Sequence, residues 1–533
     1  MIGRCMIQPS LRLFALAFLI AITPPALAQQ EHLEPAPVQA VPAEALQQDA
    51  PEEAEELQNE EPEASEALVE TSTGRLPPAS VTQHEMVFDD RTLRFIATAG
   101  SLTLTNAQNQ AEADIAYVAY TRESDDDTRR PVTFAVNGGP GAASAYLHIG
   151  VLGPWRLPMG VDNIVPSQDV ALVENPETWL AFTDLVFIDP VGTGFSRLVS
   201  STDRLRNRYL SVDGDAEALS DFIFRWLGQN GRINSPKYFI GESYGGFRGP
   251  LIAEKLQTEY GVGLSGMTLL SPVLDFGWRE QPGYAPLPKV SLLPSLAAAG
   301  MERSGEFSEQ ALREAEDYAA GEYLVDFMRG LQDEEAVSRM SERVAELTGL
   351  DEDVVRRHAG RIDMQTFSRE FARDRQMIAS LYDTGVLGDD PTPENPFSRG
   401  GDPVLDAMTA PLTSAMLAHY SETLNWLPDR RYILLNRGIN RSWSWGRGRS
   451  QPQAVSQLRQ VMALDRDFRL LVVHGYTDLV TPYFESELIL RQLRDFGGRV
   501  RLENYRGGHM FYTREESRRE FMEDGMELYA RGR

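Results

Sequence analysis

Short apolar runs that alternate with amphipathic stretches dominate the middle of the chain. Runs of three to five aliphatic or aromatic residues occur at Val132–Val136, 185–188, 238–240, 267–270 and 470–473. Such runs are typical of parallel strands covered on both faces. Helical periodicity lies between them, as in 216–227 and 250–260. The alternation predicts an α/β fold, with a mostly parallel central sheet and helices on both faces.

The pattern differs before Val132–Val136, where ordered structure is expected to begin near Thr82. Residues 86–88, 93–98 and 102–105 carry short strand patterns, which predict an antiparallel meander, and 115–121 predicts a further strand.

Residues 279–425 show no buried-strand pattern. They are rich in Glu, Arg, Ala and Leu at helical spacing, for example over 308–318 and 335–347. This block predicts a helical cap inserted between two parts of the α/β core, 81–278 and 426–533.

The first 28 residues have the pattern of a signal peptide. Arg4 and Arg12 supply positive charge, an apolar run spans 13–22, and 26–28 reads Ala-Leu-Ala, a small-residue cleavage site. The apolar run is too short to cross a membrane. We therefore expect an exported protein, periplasmic or secreted, with an uncleaved anchor as the alternative. The one cysteine, Cys5, lies in this segment, so the mature chain would have no disulfides.

Residues 29–80 are predicted to be an acidic, disordered tail. They carry thirteen Asp or Glu against one Arg, and few large apolar residues. The whole chain of 533 residues has a formal net charge of -27. A balance this acidic argues against a nucleic-acid partner, because phosphate binding needs clusters of Lys and Arg.

The sharpest chemical signal is Ser243, in the sequence Gly241-Glu242-Ser243-Tyr244-Gly245. It directly follows the apolar run 238–240 and precedes a predicted helix. A G-x-S-x-G turn between strand and helix exposes a nucleophilic serine at the edge of the sheet, with the next backbone N–H facing a developing oxyanion. Ser243 is therefore the predicted nucleophile, on an α/β-hydrolase fold.

The catalytic base is expected to follow the serine in the chain. His358 and His419 fall in the predicted cap, and His474 ends a strand. His509 lies in a glycine-rich loop just after the strand-like Val500–Tyr505, where a base can reach the serine. His509 is therefore the predicted general base.

The acid is predicted to be Asp478, on the loop that follows 470–473. An aspartate there can bond the histidine ring and fix its tautomer. Asp189 and Asp275 also follow strands, but Asp189 precedes the serine in the chain. His474 precedes Asp478, which is the wrong order for the base.

A glycine-rich loop, Asn137-Gly138-Gly139-Pro140-Gly141, follows Val132–Val136. Glycines let a backbone approach a ligand closely. In this fold the loop after an early strand supplies the second N–H of the oxyanion hole.

Four motifs in this order resemble the serine carboxypeptidase family: NGGPG at 137–141, DPVGTGFS at 189–196, GESYGG at 241–246 and GHM at 508–510. The resemblance covers about 130–275 and 465–515. It implies a peptidase that removes C-terminal residues. It also implies an oxyanion hole made by the N–H groups of Gly139 and Tyr244, and a site for the peptide's terminal carboxylate made by Asn137, Gly138 and Glu242.

The sequence departs from the family at two positions. The family's second glutamate, which shares a proton with the counterpart of Glu242, is Val151 here, and the cysteine after NGGPG is Ala142. The carboxylate site is thus expected to be incomplete. Without disulfides, the cap is expected to be held by packing alone. These departures suggest a bacterial-type branch.

Three functions remain open from the sequence. The first is a serine carboxypeptidase acting on peptides with a free C-terminus through an acyl-enzyme. The second is an esterase or acyltransferase on the same triad, which the absent glutamate favours. The third is a non-catalytic binding protein that keeps the fold. No metal or organic cofactor is implied by any of them.

Overall fold

The computed structural model describes residues 75–88, 91–123, 130–159, 170–395, 400–446, 448 and 450–531. The predicted signal peptide and residues 29–74 of the predicted tail lie outside these ranges. Arg75 is described, and its guanidinium pairs with Asp114 at 2.8 Å.

The strands of the described part of the chain are β1 Ser80–Val87, β2 Thr92–Thr105, β3 Ala111–Arg122, β4 Val132–Val136, β5 Trp155–Arg156, β6 Val173–Glu174, β7 Asp184–Ile188, β8 Arg197–Leu198, β9 Lys237–Glu242, β10 Gly266–Leu270, β11 Met377–Ala379, β12 Leu387–Asp389, β13 Arg469–Gly475 and β14 Val500–Tyr505. Ten of them form one sheet, in the order β1-β2-β3-β7-β4-β9-β10-β13-β14, with β8 beside β3. The strands from β7 to β14 along this order are parallel, and β1, β2 and β3 are antiparallel. This confirms the predicted mostly parallel sheet.

Helices lie between the strands of the sheet. They are α1 Ala145–Leu147, α2 Asp203–Tyr209, α3 Val212–Gln229, α4 Tyr244–Thr258, α5 Leu287–Ser304, α6 Glu309–Tyr318, α7 Leu324–Arg329, α8 Glu334–Thr348, α9 Glu352–Arg357, α10 Met364–Glu370, α11 Thr409–Ala418, α12 Arg437–Ser442, α13 Val455–Leu464, α14 Tyr483–Arg491 and α15 Glu515–Arg531. Within the described ranges, no helix is both long enough and apolar enough to cross a membrane.

The central strands are buried on both faces. Phe134 of β4 and Phe239 of β9 join one apolar core with α3, α4 and α13. The next residues, Ala135 and Ile240, join a second core with α11 and α15 on the opposite face. Because side chains alternate across a strand, continuous apolar runs are the expected sequence of such strands.

The predicted break between 93–98 and 102–105 is wrong, because both segments belong to the continuous strand β2. Gly100 lies in the gap between these two predicted strands. In the structure it pairs with Tyr117 of β3, and a Cβ at this position would lie 2.7 Å from the Cβ of Ala79. The glycine therefore marks a close approach of two backbones.

The helix predicted to start at Pro250 starts earlier, at Tyr244, and Pro250 lies inside it. Its first turns contain three glycines, which have a low helix propensity. Their absent side chains allow tight packing: a Cβ at Gly246 would lie 2.5 Å from Pro272, and one at Gly249 would lie 2.7 Å from the sulfur of Met267. Glycine here serves close contact with neighbouring elements, at a cost of about 1 kcal/mol each in helix propensity.

The predicted helical insertion contains α5 to α10, which share an apolar core of their own. Leu479 and Tyr483, from the segment after β13, also pack in that core. The insertion further holds the antiparallel ribbon β11–β12, which the sequence did not predict because each strand has only three residues. By contrast, Leu412 and Met416 of α11 pack with the sheet.

Candidate active site

Ser243 lies at the sharp turn between β9 and α4. Its backbone has φ 59° and ψ -122°, a conformation that strains any residue with a side chain. The turn is held from below, since the Ser243 N–H donates to the carbonyl of Leu270 at 2.9 Å. This is the geometry expected of a serine exposed at the end of a strand.

The glycines two residues before and after Ser243 are required by crossing backbones. A Cβ at Gly241 would lie 2.1 Å from the carbonyl oxygen of Gly245, and one at Gly245 would lie 2.3 Å from that of Val136. Either contact would push the serine out of place. The two glycines of the G-x-S-x-G pattern are therefore required by the close approach of β9, β4 and the start of α4.

His509 and Asp478 form a buried hydrogen-bonded pair, with His509 Nδ1 at 2.7 Å from Asp478 Oδ2. Each lies at the end of a neighbouring parallel strand, β14 and β13. The His509 carbonyl accepts a bond from the Ser271 hydroxyl at 3.0 Å, which anchors its loop. The structure thus brings these two predicted residues together.

Thr481 is a partner of this pair that the sequence analysis missed. Its hydroxyl donates to Asp478 Oδ2 and lies 3.0 Å from His509 Nδ1. The other oxygen, Asp478 Oδ1, accepts the backbone N–H groups of Val480 and Thr481 at 2.8 and 2.9 Å. Asp478 is therefore fully bonded, and its orientation toward His509 is fixed.

The charge of Asp478 decides the proton affinity of His509. Burial lowers the pKa of His509, but the attraction and hydrogen bond of Asp478, with a contribution from Glu242, outweigh burial and leave the pKa raised. A base of raised pKa, held in one tautomer, suits proton transfer from a serine.

The rival candidates have other bonds. His474 is buried, with Nε2 at 2.9 Å from the Ser486 hydroxyl. Asp189 accepts the N–H of Ser144 at 2.8 Å, and Asp275 accepts that of Gly277 at 2.8 Å. These three bonds go to groups other than Ser243 and His509; the Asp275 bond is local, and the other two join different segments of the chain.

The glycine-rich loop lies directly against the serine turn. A Cβ at Gly138 would lie 2.7 Å from the Ser243 Cβ and from the Tyr244 nitrogen. Neither the Gly139 N–H nor the Tyr244 N–H has an acceptor among the described residues. Two free N–H groups beside a nucleophile are what an oxyanion hole requires.

A buried ion pair supports this loop. Arg248 of α4 bonds Asp215 of α3 at 2.5 Å, and its guanidinium also donates to the carbonyls of Asn137 and Gly138. Where the family has a cysteine, Ala142 forms a backbone bridge with Leu435. Main-chain and ionic contacts therefore hold a loop for which no disulfide is available.

Glu242, next to Ser243 in the chain, is buried and bonded to Asn137, whose Nδ2 donates to Oε2 at 2.9 Å. Asn137 Oδ1 accepts the N–H of Leu147 at 2.9 Å, which fixes the orientation of the amide. The Tyr512 hydroxyl also donates to Glu242, a contact that the sequence analysis missed. Burial raises the pKa of Glu242 to about 7.

Ser243, His509, Glu242, Asn137, Gly138 and Gly139 all line one cavity of about 120 Å³. Its remaining walls are aromatic or aliphatic, and include Tyr146, Tyr382, Leu405, Leu435, Val480 and Met510. Six of the eight predicted site residues therefore line one pocket with apolar walls, and Asp478 is bonded to one of them, His509.

The cap contacts the catalytic loops through the turn between β11 and β12. The Tyr382 carbonyl accepts the His509 N–H. The Asp383 carboxylate accepts the Thr477 hydroxyl at 2.9 Å and Arg514 Nη2 at 3.0 Å. The loops before Asp478 and after His509 are thus both bonded to this turn.

The expectation that packing alone holds the cap is wrong, because ion pairs also hold it. Glu302 of α5 bonds Arg506 at 2.7 Å and Arg514 at 3.2 Å. The partners are far apart in the sequence, so no local pattern could indicate them.

We predict that Asp383→Asn lowers kcat roughly tenfold, because a small displacement of the His509 loop is enough to slow catalysis. We also expect a loss of about 2 kcal/mol in the free energy of unfolding, since an ionic bond to Arg514 is weakened. Urea unfolding and ester hydrolysis measure the two effects. The matched control is Asp389→Asn, an exposed aspartate of the same ribbon, for which neither quantity should change. Unchanged kcat in Asp383→Asn would exclude the coupling of cap and histidine.

Comparisons with known proteins show similarity to serine carboxypeptidases over part of the chain. The family model described as serine carboxypeptidase matches residues 90–283. Serine carboxypeptidase-like 47 of Arabidopsis thaliana is 27% identical over 200 residues, which are 34% of this chain and 36% of that protein. The pheromone-processing carboxypeptidase KEX1 of Chaetomium globosum is 29% identical over 196 residues, 36% of this chain and 28% of that protein. The chain thus spans about a third of the length of these relatives.

The fold itself has a solved counterpart in KEX1(delta)p, a prohormone-processing carboxypeptidase from Saccharomyces cerevisiae. The two share 13% identity and a TM-score of 0.53, over 82% of this chain and 91% of that chain. The predicted α/β-hydrolase fold is confirmed, and so is the resemblance to the serine carboxypeptidases over 90–283. The relatives are plant and fungal, so the bacterial-type branch stays a prediction.

Proposed function

We propose that this chain, whose residues 90–283 match the serine carboxypeptidase family, is a serine-type carboxypeptidase that hydrolyses C-terminal residues of peptides. The observation that supports it is the pairing, within one cavity, of Ser243 and His509 with the Asn137–Glu242 bond. The first pair supplies acyl-transfer chemistry. The second supplies polar groups for a terminal carboxylate next to the scissile bond.

The proposed reaction has two halves. The Ser243 hydroxyl attacks the scissile carbonyl while His509 takes its proton, and the N–H groups of Gly139 and Tyr244 stabilise the oxyanion. His509 then protonates the leaving amine, and the C-terminal residue departs. Water, deprotonated by His509, hydrolyses the acyl-enzyme and releases the shortened peptide.

Recognition of the carboxylate falls to Asn137, Gly138 and Glu242. With a pKa of about 7, Glu242 is protonated in mildly acidic solution and can then donate a hydrogen bond to an anion. The apolar walls of the cavity would receive the side chain of the terminal residue.

The experiment that tests this function compares a peptide with a free C-terminus and its C-terminal amide. We expect release of the terminal residue from the free peptide, at a rate at least tenfold above that of the amide, because the amide lacks the anion that Glu242 and Asn137 bind. Equal rates on the two peptides, or hydrolysis of simple esters only, would favour the esterase or acyltransferase instead.

We also propose that the chain is exported through the signal peptide 1–28, to the periplasm or the medium. Mass spectrometry of the mature N-terminus after expression with the full leader tests this, with cleavage expected after Ala28.

A further inference from the structure

Glu242 has a phenol partner where the family resemblance implied a second carboxyl group. The Tyr512 hydroxyl lies 3.0 Å from Glu242 Oε2 and 3.2 Å from Oε1, and the residue is fully buried. Val151, at the position of the absent glutamate, lies buried in a π-helical turn, His148–Leu152. The carboxyl of Glu242 is therefore not left with a single partner.

The ring of Tyr512 packs against the same turn that holds Val151. A Cβ at Gly150 would lie 3.2 Å from Tyr512 Cε2, so glycine at this position leaves space for the ring. Tyr512 belongs to the 3₁₀ turn Phe511–Thr513, which begins two residues after His509 in the chain. The same short segment thus carries the base and the partner of Glu242.

The two oxygens of Glu242 are bonded unequally. Oε2 accepts two donors, Asn137 Nδ2 at 2.9 Å and the Tyr512 hydroxyl at 3.0 Å. Among the described residues, Oε1 has only the longer contact to Tyr512, at 3.2 Å. When Glu242 is protonated, its proton is therefore favoured on Oε1, the oxygen with fewer donors.

We propose that Tyr512 is a positioning residue of the carboxylate site, replacing the second carboxyl group as the donor that holds Glu242 and leaving Oε1 to donate to the peptide's terminal carboxylate. The inference rests on the proposed function. It makes carboxylate recognition depend on the ionisation of one acid, where the family resemblance implied a pair that shares a proton.

The groups that face Glu242 set this ionisation. Burial is the largest influence and raises the pKa of Glu242, Asp478 raises it further, and His509, Tyr512 and Asn137 lower it. Tyr146 also faces Glu242, and burial raises the pKa of both tyrosines above the ordinary value. The tyrosines therefore stay neutral while Glu242 titrates. As the pH rises through that titration, the Glu242 anion repels the carboxylate and binding weakens.

The test measures binding by calorimetry, from pH 5.5 to 8.5, of an N-acetyl amino acid and of its amide. In the wild type, we expect the preference for the acid to fall by about tenfold per pH unit above the titration of Glu242. In Tyr512→Phe, this decline should move to higher pH, because the donor that stabilises the anion is lost. Site-specific 3-fluorotyrosine at position 512 keeps the ring and strengthens the donor, so the decline should move to lower pH.

Two control variants separate this effect from others. Glu242→Gln should abolish the pH dependence, whereas a decline that persists there would assign it to His509. Tyr505→Phe removes a tyrosine–carboxylate bond of similar kind, to Asp524 at 2.6 Å, and should bind as the wild type does. Unshifted declines in both Tyr512 variants would overturn the inference. The calorimetric binding measurements do not require the enzyme to turn over substrate. Failure of the proposed function is therefore detected separately, by the peptide hydrolysis assay.

Discussion

Ser243→Ala is expected to lower kcat by about 10⁵- to 10⁶-fold on both peptide and ester substrates. The nucleophilic oxygen is lost, and no other hydroxyl can take its place at the turn between β9 and α4. Alanine has a β-carbon like serine and meets the same backbone strain at φ 59°, so the fold of the turn should not change. Stopped or continuous assays of terminal-residue release measure the effect.

The same variant should keep its affinity for the free-carboxylate ligand. In the proposed function Asn137 and Glu242 bind that ligand, and their mutual bond does not involve the serine. A serine-directed phosphonate should label the wild type and not the variant. Ser220→Ala is the matched control, since Ser220 is a buried helical serine that bonds the Ala216 carbonyl. More than about 1% residual activity in Ser243→Ala, well above the expectation for a lost nucleophile, would place the nucleophile elsewhere.

The three residues of the proposed triad could be expected to lie close together because each one lies at the end of a strand. Parallel strands place their carboxyl ends along one edge of a sheet, so Ser243 after β9, Asp478 after β13 and His509 after β14 had to converge. Thr481 also left a signal. An aspartate followed three residues later by threonine is a common local bonding pattern, although that pattern alone does not indicate a bond to histidine.

Tyr512 and Asp383 left no such signal. The sequence could show that Val151 removes a carboxyl group from the site. It could not show that Tyr512 is bonded to Glu242, because that bond depends on how the turn 148–152 packs against Phe511–Thr513. Likewise, the bond between Asp383 and Arg514 depends on the path of the cap. The helical periodicity of the cap sequence predicts its helices but not how they pack against the core.

Two predicted element boundaries are wrong at positions where glycine allows close packing. Gly100 and the glycines in the first turns of α4 lie outside the predicted strands and helix, whereas in the structure they lie inside regular elements, where the neighbouring backbone or side chains exclude a Cβ. At Gly241 and Gly245 the same exclusion of a Cβ coincides with the G-x-S-x-G turn that the sequence predicted between a strand and a helix. The low helix and strand propensity of glycine therefore does not show by itself whether a regular element ends there, whereas a motif around the glycine does.

Asp478→Asn is expected to lower kcat by about 10⁴-fold while leaving the fold intact. The bonds around Asp478 determine how an asparagine would lie. Oδ1 accepts two backbone N–H groups, from Val480 and Thr481, so the amide oxygen must take that place. The amide NH₂ then faces His509.

An NH₂ group facing His509 Nδ1 makes that nitrogen an acceptor, which places the ring proton on Nε2. In this tautomer the histidine cannot take the proton of Ser243, and the imidazolium also loses the charge that stabilises it. Thr481→Val keeps the Asp478 carboxylate and removes only the hydroxyl that donates to it. We expect about a tenfold loss there, since one hydrogen bond to a charged group contributes about 1.5 kcal/mol.

Comparing kcat of Asp478→Asn with that of Thr481→Val shows whether Asp478 fixes the tautomer of His509 or only holds its ring in place. Asp495→Asn is the matched control, because Asp495 also accepts a backbone N–H, from Gly497 at 2.7 Å, in an exposed turn. It should retain wild-type kcat. If Asp478→Asn and Thr481→Val lost activity by the same factor, the aspartate would act only by holding the ring, and its charge would have no separate part. A much larger loss in Asp478→Asn assigns the effect to the proton on Nδ1.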